Sequence, residues 1–107
     1  MILFYDPKIM AVEGGVMVRE RDIERALVRT VRKAGGLCLK FVSPGWDGAP
    51  DRICLWPGGR IIFVELKRPG AKPRPLQVKR MEQLRQLGFD VEVIDSLEGA
   101  SGGDERA

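Results

Sequence analysis

Arg60-Ile61-Ile62-Phe63-Val64-Glu65-Leu66-Lys67 runs four consecutive apolar residues into an acid and a base. Read as a strand, its side chains alternate between two faces. Glu65 and Lys67 then share the face of Ile61 and Phe63, and Ile62, Val64 and Leu66 point the other way. Burying an unpaired charge costs roughly several kcal/mol unless a counter-charge or a metal compensates. An acid and a base on an otherwise apolar face therefore call for a functional reason.

Working upstream, Pro57-Gly58-Gly59 is a turn signal, so residues 52–56 and 60–66 are expected to form a hairpin. Residues 37–42 read as a further strand, and the loop at 43–50 is rich in turn residues. Ile23, Leu27, Thr30, Val31 and Ala34 recur at helical spacing over residues 19–34, with Gly35-Gly36 as the stop. Arg21, Arg25, Arg29, Arg32 and Lys33 fall mostly on the outer side of that helix. Downstream, a basic, proline-punctuated loop at 68–75 leads into a second helix over 76–87, closed by Gly88 and followed by a strand at 89–94. The order helix, three strands, helix, strand specifies an α/β fold with a mixed central sheet flanked by helices. Residues 1–17 lack sustained periodicity and read as an extended N-terminal arm. Residues 18–98 form the expected domain, and 99–107, which lack apolar content, are expected to be a disordered tail.

The chain has 107 residues, 44% of them hydrophobic, which suits one compact domain with one modest core. Its 18 Lys+Arg against 15 Asp+Glu give a formal charge of +3 and a pI near 9.1. That balance suits a polyanion such as nucleic acid, although solvated helix faces look similar. Cys38 and Cys54 form no CxxC pair, and there is no histidine, so neither a zinc site nor thiol-histidine chemistry is supported. The cysteines read as buried thiols of a reducing compartment. No apolar run is long enough for a bilayer and no leader pattern opens the chain, so a soluble intracellular protein without membrane contact is expected. Without histidine, a general base near neutral pH must be a carboxylate, a lysine or a water activated by a metal.

Asp51 follows Gly48-Ala49-Pro50 at the entry to one strand of the hairpin, and Glu65 lies near the end of the other. Pairing brings the two carboxylates within reach of one divalent ion. Mg²⁺ prefers carboxylate and water oxygens and keeps part of its hydration shell, leaving room for a phosphate oxygen and an attacking water. Lys67 can orient that water and offset charge building on the phosphate. The bland alternative is an ion-paired strand pair. Glu20 falls one turn before Ile23 and Leu27, inside their apolar arc, and is expected to face inward; Glu24 lies at the edge of the arc. Helix capping is the competing role for Glu20. Gln77 shares a stripe with Met81 and Leu84 and is either a ligand for water or phosphate or satisfied by local backbone. Arg68, Lys72, Arg74, Lys79 and Arg80 cluster after the site as candidate phosphate contacts. Trp46 could stack on a base, or simply pack over the domain edge.

Taken together, Glu20-x-x-Ile23, Gly48-x-Pro50-Asp51, Phe63-Val64-Glu65-Leu66-Lys67 and Pro75-Leu76-Gln77 resemble the motifs of the VRR-NUC domain, a branch of the PD-(D/E)XK nuclease superfamily. The resemblance runs from about Val18 to Ser96. It implies a restriction-endonuclease-like αβββαβ core and a Mg²⁺- or Mn²⁺-dependent phosphodiesterase. Asp51 and Glu65 would be metal ligands and Lys67 the catalytic lysine. Glu20, as a further ligand, and Gln77 match accessory catalytic positions, with Glu24 a rival to Glu20. Short members of this family are typical of phages and bacteria and are similar to Holliday-junction resolvases, which act as homodimers on branched DNA. That implies the cytoplasm of a bacterium or phage-infected host, DNA as partner, and no nucleotide cofactor. A catalytically silent nucleic-acid-binding module and a subunit of a larger DNA-processing assembly are the competing readings.

Overall fold

The computed structural model describes residues 11–13 and 16–102. In chain order these form β1 (Ala11–Glu13), β2 (Val16–Val18), α1 (Glu20–Lys33), β3 (Leu37–Lys40), β4 (Arg52–Trp56), β5 (Arg60–Leu66), α2 (Pro75–Gln86), β6 (Asp90–Ile94) and α3 (Leu97–Ser101). One sheet has the order β3-β4-β5-β6. The β3–β4 and β4–β5 pairs are antiparallel, as the hairpin signal requires, and β5–β6 is parallel because α2 carries the chain across. The sheet is therefore mixed, with helices packed on it, as expected.

The alternation in β5 sorts two apolar layers. Ile62, Val64 and Leu66 meet Ile23, Leu27 and Val31 of α1, whereas Phe63 meets Met81 and Leu84 of α2 and Val91 of β6. Full burial of a Leu or Ile is worth roughly 1.5–3 kcal/mol, so the α1 layer is the larger stabilising term. Cys38 and Cys54 are buried thiols without a disulfide, opposite each other on β3 and β4, with the two Sγ atoms 3.7 Å apart.

One interaction fixes how α1 sits on the sheet. Arg52, first residue of β4, reaches Glu24 Oε2 from Nε (3.1 Å) and Nη2 (3.0 Å) and donates from Nη1 to the Cys38 carbonyl at 3.2 Å. Helix α1 is thus pinned to β3 and β4 one turn from its own start.

Two terminal segments differ from the sequence expectation. Part of the proposed extended arm pairs as an antiparallel β1–β2 hairpin, with Ala11 opposite Val18, and Val18 is buried. Gly14 and Gly15 lie outside the described residues. At the other end, 99–101 are helical rather than disordered. Gly99 N–H donates to Ser96 Oγ at 2.9 Å, an N-cap, and Ala100 is fully buried in the α1-side core. A five-residue helix whose apolar side chains are Leu97 and Ala100 is too short to show periodicity, which is why composition missed it. The rest of both expectations, residues 1–10 and 103–107, lies outside the described residues. No helix among the described residues is long and apolar enough to cross a membrane.

Candidate active site

Asp51 sits at the bend that feeds β4, held from two sides. Phe41 N–H donates to its carbonyl and Leu66 N–H to its Oδ2, both at 2.9 Å. With Arg52 opposite Val64, the residue before Arg52 falls beside Glu65. The loop that delivers Asp51 depends on Gly48. Its φ is +84°, and a Cβ there would stand 2.9 Å from Leu76 Cγ and 3.2 Å from the Leu76 backbone at the start of α2. Gly48→Ala is therefore expected to shift this loop and cost about 1–3 kcal/mol of stability. Cleavage should fall with it, and a denaturant midpoint equal to wild type would remove Gly48 from this role.

Glu65 is 1% exposed, and neither carboxylate oxygen has a hydrogen-bond partner within the protein. The Lys67 ammonium lies 3.5 Å from Oε2. Lys67 is itself placed by the sheet, its N–H donating to the Ile94 carbonyl at 3.0 Å. Burial pushes the Glu65 carboxyl up to about 8, the neighbouring Asp51 carboxyl pushes the same way, and Lys67 opposes both. Lys67 is the cation the protein sets against two neighbouring carboxyls, so the pair can accept further positive charge.

Glu20 is exposed, not inward-facing. As the first residue of α1 it stands at the rim beyond the Ile23–Leu27 stripe. It nevertheless feels the site: partial burial raises its pKa, then Asp51 does so, while Lys67 opposes. Glu24, its rival, is engaged by Arg52, which leaves Glu20 as the acid of α1 turned toward Asp51. Among the described residues no three carboxylate or cysteine side chains gather into a metal cage. Mg²⁺ needs only one or two carboxylates when substrate phosphate and water complete its shell, so the Asp51–Glu65 pair of hard oxygen donors fits Mg²⁺ or Mn²⁺.

Gln77 is buried on the sheet side of α2, and its Oε1 accepts the Arg74 N–H at 2.8 Å. Its oxygen thus caps the helix, the local role weighed against ligand binding. Two of the expected DNA contacts also have partners within the protein. Arg80 donates from Nε to the Asp47 carbonyl (2.8 Å) and from Nη1 to Gln83 (3.0 Å), and its guanidinium lies 5.1 Å from the Trp46 ring centre. Trp46 packs against the α2-side core, 6.5 Å from the Phe41 ring. Both residues hold the 43–50 loop in place while staying partly exposed. Lys72, Arg74 and Lys79 are exposed around the loop and the start of α2, and Arg68 lies close enough to Glu20 to oppose its shift. The Arg52–Glu24 clamp escapes sequence reading, because a pairing 28 residues apart leaves no local signal.

Comparison with known proteins gives the same reading from outside. Residues 20–98 match the VRR-NUC domain family. A protein of Acyrthosiphon pisum secondary endosymbiont phage 1, named "Putative nuclease p44", is 51% identical over 85 residues, covering 79% of this chain and 91% of the relative. A solved structure described as a VRR_NUC domain superposes with a TM-score of 0.74 at 32% identity, over 80% of this chain and 94% of that one. The matched span begins at Glu20 and takes in Asp51, Glu65, Lys67 and Gln77 on the fold just described, and the chain belongs to the VRR-NUC domain family.

Proposed function

We propose that this protein is a divalent-metal-dependent DNA endonuclease that hydrolyses phosphodiester bonds in branched DNA as a homodimer. The observation that carries the reading is the Glu65 carboxylate, buried and without a hydrogen bond between Asp51 and Lys67. Asp51 and Glu65 would hold Mg²⁺ or Mn²⁺, with Glu20 at the rim as a further ligand or a holder of its water. When bound, the ion would polarise a phosphate oxygen and lower the pKa of a water. Lys67 places a positive charge where the attacking water and the scissile phosphate meet and offsets charge developing on the phosphate oxygens. Arg68, Lys72, Arg74 and Lys79 would grip flanking phosphates with little sequence preference.

The nuclease name of the phage relative supports the substrate class, and a bacterial or phage-infected cytoplasm is the setting it suggests. Symmetric incision of a four-way junction needs two sites related by a two-fold axis, which favours a homodimer. The test is cleavage of labelled four-way junction, splayed-arm, duplex and single-stranded DNA with Mg²⁺, Mn²⁺ or EDTA. Junction-preferring incision that needs metal and drops by ~10²–10⁴-fold in Lys67→Ala is expected. Binding without incision in either metal would turn the assignment to a silent binding module.

A further inference from the structure

Away from the two carboxylates, α1 carries a second feature. Arg25, Arg29, Arg32 and Lys33, with Arg52, line a groove of about 650 Å³ along the outer side of the helix. Val28 lies among them, and Glu24, the acid in the groove, is held by Arg52. None of the four cations on α1 is in an ion pair among the described residues. Like charges at helical i,i+4 spacing destabilise an isolated helix by roughly 0.2–0.5 kcal/mol per pair; Arg32 and Lys33 offset this in the last turn of α1, whereas the Arg25–Arg29 pair does nothing to hold the helix together.

The groove's position gives it a use. It starts at Arg52, next in sequence to Asp51, and at Glu24, one turn from Glu20. From Glu20 to Arg32 the helix advances about 18 Å, close to five nucleotide steps at about 3.4 Å per step. Planar guanidinium groups match phosphate oxygens bidentately, and three of the four α1 cations that line the groove are arginines. We infer that the α1 groove is a phosphodiester-backbone track that holds the DNA strand on one side of the scissile phosphate. The basic loop at 68–74 takes the other side. The inference rests on the DNA-cleaving reading for its substrate, but its test is binding.

Anisotropy of labelled four-way junction and single-stranded DNA, in EDTA, would be followed from 50 to 200 mM salt. The proteins are wild type, the Arg25→Ala/Arg29→Ala/Arg32→Ala variant and its all-lysine counterpart. Three lost phosphate contacts should make the log–log salt slope shallower by about 2.7, so that the variant loses about 40-fold less affinity over that range. The all-lysine form should keep the wild-type slope. Arg29→Ala alone should change it by about 0.9, so the result does not hang on the triple variant folding. An unchanged slope in both alanine variants would overturn the track. So would unaltered DNA binding with loss of binding to a labelled polyglutamate peptide, which would assign the groove to an acidic protein. Because these readouts need no metal, a wild type that binds DNA but never cuts it would sink the nuclease reading and leave the track standing.

Discussion

Glu65→Gln is expected to reduce cleavage by ~10²–10³-fold or more and, at the same time, to flatten the pH dependence of stability of the metal-free protein. The first effect follows from removing one of the two carboxyls of the site, a buried group whose partner within the fold is the Lys67 ammonium. The second follows from its raised pKa, about 8 in the fold against 4.5 for the ordinary carboxyl. Below pH 4.5 both folded and unfolded chains hold the proton. Between 4.5 and about 8 the unfolded chain releases it and the folded one retains it, so stability declines as pH rises. The slope approaches ~1.4 kcal/mol per pH unit from this group. Above about 8 both are ionised and the contribution levels off. Urea midpoints in EDTA at pH 5, 6.5 and 8 should therefore fall in the wild type and change less in the glutamine variant. Only the slope is diagnostic, because the new amide would itself be buried. Added Mg²⁺ should raise the wild-type midpoint, by ~2.7 kcal/mol at a hundredfold excess over Kd, and leave the variant unmoved. Equal pH slopes for the two proteins, or equal response to Mg²⁺, would show that Glu65 is a structural acid.

The sheet and the central triad were legible because they are written locally. The continuous apolar run Ile61–Val64, a turn at Pro57-Gly58-Gly59 and a Gly88 stop mark the elements, and the strands 52–56 and 60–66 emerge with the bounds expected. Asp51 and Glu65 follow from hairpin pairing alone. What failed needs contacts distant in sequence. Helical angle places Glu20 inward, but angle does not say where the sheet stops covering a helix end. Trp46 and Arg80 stand out in the sequence by residue type alone. Their pairing with each other, 34 residues apart, arises only when α2 lies beside the 43–50 loop. Likewise α3 owes its existence to Ala100 reaching the α1-side core, since its sequence carries no helical stripe. The α1 groove was half visible: the arginines form an outward face by spacing alone, and Arg52, which ties their row to the bend at Asp51, comes from β4.

Asp51 separates chemistry from architecture more cleanly than any other position, because its carboxylate does two things at once. Oδ2 accepts the Leu66 N–H at 2.9 Å, bonding the bend at Asp51 to the end of β5, and the same group stands beside Glu65 as the second oxygen donor. Asp51→Asn keeps a carbonyl oxygen for Leu66 and discards the charge. Asp51→Ala discards both. Each should reduce cleavage by ~10²–10³-fold or more, since a neutral oxygen is a far weaker donor to a hard cation. Stability should divide them. Loss of a hydrogen bond to a charged acceptor is worth roughly 1.5–3 kcal/mol, so the alanine variant should unfold at lower urea, whereas asparagine should lie near wild type. Removing the Asp51 charge also removes one of the influences that raise the Glu65 pKa, so in EDTA both variants should lose less stability than wild type between pH 5 and 8. If asparagine retained full cleavage, the Asp51 charge would have no part in the chemistry and the two-carboxylate site would fall. If alanine were as stable as wild type, the bond to Leu66 would have no part in holding the bend, and the positioning of the site would have to come from the Gly48–Leu76 contact instead.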